Sequence, residues 1–185
     1  MKISVPHTAD EHSLIMRCMK GNEPARKAVY IKYVEEVMIV CLRYIADKED
    51  AKEVMMDAFL KFFNALDGFE YRGEGSVRAW LKKITVNECL MFLRKKVMSF
   101  DQISDSDFYG APVVMESVSD QMHVKDILKL VHTLPPGCKA VFNLYVFEDK
   151  GHKEIAQLLQ ISEGTSKSQL HLARKILKDK LLINI

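Results

Sequence analysis

Apolar residues along this chain recur at intervals of three and four, the pattern of helices with one buried face, and they almost never alternate. No alternating run is bounded by Asn-Gly or Asp-Gly turns, so strands are not expected. A first helix, about 10–20, stops at Gly21-Asn22. Pro24 is well placed to open the next, with Tyr30, Tyr33, Val37, Val40 and Tyr44 on one face up to about Ala46. Asp47, followed by Asp50, resembles an N-cap with an acidic first turn. The helix it opens runs to about Leu66 and buries Met55, Phe59, Phe62, Phe63 and Leu66. After a glycine-rich loop, Asp67 to Gly75, Ser76 caps a helix whose inner face is Val77, Trp80, Leu81 and Ile84, with Leu90 or Met91 further on. That helix is expected to end in Leu93-Arg94-Lys95-Lys96, cations where the helix dipole favours them.

The pattern then changes. From Val97 to Val124 there is no Lys or Arg, while Asp101, Asp105, Asp107, Glu116 and Asp120 are acidic and Gly110 and Pro112 punctuate the run. This composition reads as a flexible acidic linker, 98–120. At roughly 3.3 Å per extended residue it spans tens of ångströms. Helical periodicity resumes with Val124, Ile127, Leu128 and Val131, stops at Leu134-Pro135-Pro136-Gly137, and returns over about 138–146 with Val141, Leu144 and Tyr145. The expected fold class is therefore all-α: two small helical domains, 10–97 and 121–182, joined by the linker.

The last thirty residues of the second domain, from Gly151 to Lys180, have the grammar of a helix-turn-helix. A short helix with Ile155, Ala156, Leu158 and Leu159 is followed by Gln160-Ile161 and by Ser162 in an N-cap position. The second helix buries Leu170, Ala173 and Leu177. Its other face carries Lys167, Ser168, Gln169, His171, Arg174, Lys175 and Lys178, donors and cations suited to the DNA major groove.

Total charge adds little, because the formal net charge is only +2. Its distribution says more. Between Tyr71 and Lys96 stand Arg72, Arg78, Lys82, Lys83, Arg94, Lys95 and Lys96 against Glu74 and Glu88. The preceding helix leans acidic, with Asp47, Glu49, Asp50, Glu53 and Asp57. One domain thus carries two surfaces for two kinds of partner, and two basic segments on two modules read as bipartite nucleic-acid binding. Phe69 and Tyr71 beside Arg72 offer a platform for unstacked bases.

Several classes drop out. The N-terminal MKISVPHTADEHSL is too polar for a signal peptide, and no run approaches a membrane span, so a cytoplasmic protein without stable membrane insertion is expected. Cys18, Cys41, Cys89 and Cys138 are scattered in apolar contexts and read as buried, reduced thiols. There is no P-loop, GxSxG or HExxH, and no metal-ligand spacing, so neither enzymatic activity nor a metal or cofactor is expected. His152 and Glu154 in GHKE read as helix-start residues, not as a catalytic fragment.

These segments together resemble a known family. DKEDAKEVMMDAFLKFF, GSVRAWLKKITVNECLMFLRKK, LPPGCKAVFNLYVFE and ISEGTSKSQLHLARKIL stand in the order found in extracytoplasmic-function (ECF) sigma factors, the small promoter-recognition subunits of bacterial RNA polymerase. The last is close to the Bacteroidetes-type form. The resemblance covers about 14–181 and implies a non-enzymatic initiation factor that binds core polymerase and promoter DNA and is controlled by an anti-sigma protein. It implies that Asp50, Glu53, Asp57 and Phe63 dock on the clamp helices of the largest polymerase subunit. It puts Tyr71 against a flipped-out −10 base, Asn87 at a polar base contact and Arg78, Lys83, Arg94 and Lys95 on phosphates, with Arg72 in the same −10 DNA-binding set. For the −35 duplex it implies Lys167, Ser168 and His171 at the base edges and Arg174 and Lys175 on the backbone, with Thr165 and Gln169 in the same DNA-binding set. Gln160 stands where glycine is usual in the turn, Ser166 where valine is common, and Met91 and Leu172 where polar or charged residues are frequent. The rival reading is a stand-alone helix-turn-helix regulator whose first module dimerises or senses a ligand.

Overall fold

The computed structural model describes the backbone of residues 11–100 and 122–183, and the side chains of 11–95 and 126–181. All regular structure among these residues is helical: α1 (Glu11–Met19), α2 (Glu23–Tyr44), α3 (Lys48–Asn64), α4 (Ser76–Phe100), α5 (Met122–His132), α6 (Pro136–Phe142), α7 (His152–Leu159) and α8 (Glu163–Ile183). Most of the expected linker, 101–120, lies outside the described residues, and 98–100 continue α4. The cations Arg94 and Lys95 therefore precede the end of that helix by more than a turn.

Backbone contacts divide the chain into two units, Met1–Cys41 with Glu49–Phe92, and Leu42–Lys48 with Leu93–Ile185. In the first unit, α1 ends as Gly21 takes φ +74° and its amide donates to Cys18 O at 3.0 Å. Asn22 then starts α2, its Oδ1 accepting from the Ala25 amide at 2.9 Å. The core holds Ile15, Val29, Tyr33, Val37, Phe59, Phe62, Val77 and Leu81, with Leu90 buried and Met91 exposed. Phe63 is half-buried in an aromatic cluster, 5.3 Å from the Phe62 ring and 6.2 Å from the Phe59 ring by centroids.

The second unit is built around α8. Ala173 packs with Leu134 and Cys138, and Phe142, Ile176 and Leu177 close over them. The helix expected over 138–146 is two pieces, since α6 widens into a π-helical turn, Asn143–Phe147. The buried Asn143 amide donates to Arg43 O at 2.9 Å, and His132 Nε2 donates to Leu42 O at 2.6 Å. Burial, helped by the Lys139 cation, pushes the His132 pKa down to about 4, outweighing the bond to the Leu42 carbonyl, which favours the ring cation. Ile127, expected on the inner face of α5, is 49% exposed. It stands one position from the buried Leu128, so the apolar stripe is narrower than the sequence suggests. All four cysteines are buried, and none is joined in a disulfide.

Candidate nucleic-acid interface

The helix-turn-helix is assembled from short-range bonds. Gly151 opens α7, and Glu154 reaches back so that its Oε2 accepts the Gly151 amide at 3.1 Å while Lys150 Nζ pairs with Oε1 at 2.9 Å. Those bonds, led by Lys150, hold the Glu154 carboxyl below its ordinary value. Gln160 ends the helix in the left-handed conformation, φ 57° and ψ 42°, and its amide donates to Ala156 O. A glutamine thus does what a glycine does more easily, at a cost of about 1 kcal/mol. Ser162 then caps α8, its Oγ accepting from the Thr165 amide at 2.9 Å.

One contact was not legible. Ser166 is fully buried, and its hydroxyl lies 2.9 Å from His152 Nδ1, joining the first turn of α7 to α8. The Tyr145 ring stacks on His152 at 5.0 Å, and the Arg174 guanidinium sits 5.4 Å from the same Tyr145 ring centre. Serine in place of an apolar residue is explained by a polar partner fourteen residues back. The GHKE segment is structural.

With Ser166, Leu170 and Ala173 turned inward, α8 presents Lys167, Ser168, His171, Leu172 and Lys175 as one exposed strip at three- and four-residue spacing. Arg174 is exposed on the flank of the strip, against Tyr145. Two residues of the expected −35 set stand elsewhere. Gln169 is half-buried over Gly137, so close that a methyl group there would come within 2.7 Å of its Nε2. Thr165 is half-buried and engaged with Ser162.

The first unit offers a loop and a helix face. Residues 69–75 leave the short 3-10 turn Leu66–Gly68 and re-enter helix at Ser76, with Gly73 at φ +109° and Gly75 at φ +85°. Ser76 does not cap α4 but begins it, its hydroxyl donating to Gly73 O at 2.7 Å. The loop is held from α1. Glu11 Oε2 accepts the Gly75 amide at 3.3 Å, while Oε1 accepts from Lys32 Nζ at 2.9 Å and from the Tyr33 hydroxyl. Burial pushes the Glu11 carboxyl up, but the bonds from Tyr33, Lys32 and Gly75 outweigh it and hold it below its ordinary value. Burial and the same carboxylate push the Tyr33 phenol up.

The loop aromatics are occupied. Phe69 stacks on Trp80 at 4.7 Å and 22°, so it packs back onto the unit and is not a free platform. Tyr71 is half-buried, its ring 4.8 Å from that of His12. Arg72 is exposed and paired with Glu70 at 3.0 Å, and Arg78 with Glu36 at 2.8 Å. Along α4, Lys83, Asn87 and Met91 recur at intervals of four and are exposed, and Lys95, which falls in the second unit, is exposed as well. Arg94, which belongs to the second unit by its contacts, is exposed and donates to the Leu158 carbonyl. On α3, Glu53 and Asp57 are exposed and Asp50 half-exposed. The sequence pattern missed their apolar neighbours Met56, 53% exposed, and Leu60, 60% exposed, which complete an i, i+3, i+4, i+7 stripe with the two acids. A reading that looks only for the buried face passes over apolar residues on the other one.

Comparison with known proteins sharpens the picture. Residues 29–97 match the family described as Sigma-70 region 2, and residues 125–177 match Sigma-70, region 4. The RNA polymerase sigma-H factor of Pseudomonas aeruginosa is 24% identical over 183 residues, covering 93% of each chain. The ECF RNA polymerase sigma-E factor of Escherichia coli K12 is 24% identical over 180 residues, covering 91% of this chain and 92% of that one. In fold the chain is similar to a Bartonella quintana sigma factor solved with its anti-sigma factor, at a TM-score of 0.58 and 19% identity, over 86% of this chain and 98% of that one. No described helix is long and apolar enough to cross a membrane. With both family regions present in order and relatives matched over nearly its whole length, the chain belongs to the sigma-70 family of RNA polymerase sigma factors, as a member of the ECF type.

Proposed function

We propose that this chain brings core RNA polymerase to promoters by a two-point reading in which α8 meets the upstream element as duplex and the 69–96 region captures the downstream element as an opened strand. The observation that carries the upstream half is the exposed strip on α8. It combines two lysines, a hydroxyl and an imidazole on a helix set by a helix-turn-helix, the composition that phosphates and base edges require. Lys167, Ser168 and His171 reach base edges, while Lys175 and Arg174 hold the backbone. Thr165 and Gln169 act from behind, fixing the start of α8 and its seat over Gly137.

In the downstream half, Lys83, Asn87 and Lys95 line one ridge of α4, and Arg72 and Arg78 exchange their acidic partners for phosphates. Tyr71 receives the unstacked base, whose extraction costs a few kcal/mol. Core polymerase docks on α3 through Asp50, Glu53 and Asp57, with Met56 and Leu60 supplying the apolar centre that an interface core needs. Phe63 supports that helix from beneath. Catalysis belongs to the polymerase, and an anti-sigma protein holds the free chain, as one does its Bartonella quintana fold relative. The action is cytoplasmic, where the promoter is.

Transcription in vitro with purified core polymerase tests the proposal. Added protein is expected to give promoter-dependent transcripts and to co-migrate with core. A chain that binds duplex DNA alone and leaves core unaffected is a stand-alone regulator instead. Lys167→Ala is expected to weaken upstream-element recognition by about 1–3 kcal/mol, and unchanged promoter preference removes it from the contact set.

A further inference from the structure

We infer that Leu172 is a specificity-determining residue that reads the 5-methyl group of a thymine in the upstream element. The inference rests on the proposed duplex reading by α8. Leu172 is 45% exposed although it lies one residue from the fully buried Ala173. It sits one helical turn beyond Ser168, with His171 and Lys175 beside it, all exposed. Single leucines on protein surfaces need no explanation. This one interrupts a strip that is otherwise composed of cations and hydrogen-bonding groups.

Major-groove base edges present acceptors, donors and one apolar group, the thymine methyl. A leucine cannot pair with the others. Pressed against the amino group of cytosine, it leaves a donor without water or a partner, which is unfavourable. Pressed against thymine, it removes a methyl from water and leaves nothing unpaired. The helix rises about 6 Å over one turn, so the thymine lies within about two base pairs, at 3.4 Å each, of the one that Ser168 meets. The flanking cations anchor the helix in the groove, and Leu172 adds discrimination between the two pyrimidines.

The test uses the full chain assembled with core polymerase. An upstream element is first selected from a randomised duplex library. Each thymine in it is then replaced singly by deoxyuridine, which removes only the methyl. One position is expected to lose about fourfold in affinity, the size of one buried methyl-sized group. Leu172→Ala is expected to lose that sensitivity while keeping its response to bases elsewhere, and 5-methylcytosine at that position is expected to recover part of the binding lost with cytosine. An element lacking thymine near the Ser168-dependent base overturns the inference, as does unaltered deoxyuridine sensitivity in Leu172→Ala. If the holoenzyme selects no upstream element at all, the duplex reading by α8 fails, and the inference fails with it.

Discussion

The helix-turn-helix and the loop over 69–75 are the two places where this chain is proposed to meet DNA, and they are held in different ways. In the first, the bonds that set the caps and join the two helices are local, Glu154 to Gly151, Ser162 to Thr165 and His152 to Ser166, and only Arg94 to Leu158 comes from far along the chain. In the second, the bond that matters spans 64 residues, from Glu11 to Gly75, and the carboxylate also gathers Tyr33 and Lys32. A locally built element keeps its shape when its surroundings loosen. A loop held from a distant helix is coupled to the packing of the whole unit.

The sharpest way to break the contrast is Glu11→Ala. It strips a charged acceptor from Tyr33 and from the Gly75 amide, and a loss of about 2–3 kcal/mol is expected in urea denaturation. Hydrogen exchange is the finer readout. The Gly75 amide should lose protection while amides across 152–175 keep theirs, and equal loss in both would mean that the loop is not held separately.

Acidification should separate the two regions as well. The neutral His132 ring, with its pKa pushed down to about 4, stabilises the second unit fully above the ordinary value of 6.5, and this is lost as pH falls from 6.5 towards 4. The Glu11 contribution is present above the ordinary value of 4.5 and is lost only as the pH falls below it, because its pKa is lowered. Unit-resolved hydrogen exchange at pH 7 and 5.5 should therefore show the second unit loosening first. His132→Gln should flatten that response; a persistent one points to another group.

Ser166→Val tests the local bonding. It leaves His152 Nδ1 without its partner inside the unit, and a loss of about 1–2 kcal/mol is expected. Adding His152→Leu should recover much of it, so that the double variant is less damaged than the two single effects summed. The smallest expected effect is a gain. Gln160→Gly should stabilise the second unit by about 0.5–1 kcal/mol, since glycine takes the left-handed turn without a Cβ penalty. An unchanged melting temperature would show that the glutamine side chain offsets its own strain.

The same division explains what could be read in advance. Helices, the Ser162 cap and the inward set Leu170 and Ala173 follow from spacing within a few residues, so they were legible. The left-handed turn at Gln160 was legible by position, though its residue argued against it. Partners brought together only by folding were not: Glu11 with Gly75, Phe69 with Trp80, and Gln169 with Gly137 carry no mark in the chain. Among apolar residues kept outside, Ile127 was misread and Met56 and Leu60 were passed over, for a related reason. Periodicity reports which residues share a face, and only a partner tells which face stays uncovered.

The stacking of Phe69 on Trp80 has a practical consequence. The chain has a single tryptophan, and its indole is packed between Phe69 from the loop and Phe62 from α3. Those neighbours lie on the loop proposed for strand capture and on the inner face of the helix proposed for polymerase docking. A fluorine atom on that one indole would give a single resonance even inside the full enzyme, where every other tryptophan is silent. Its position would report, during initiation and without disturbing any contact residue, when the loop lets go of the ring.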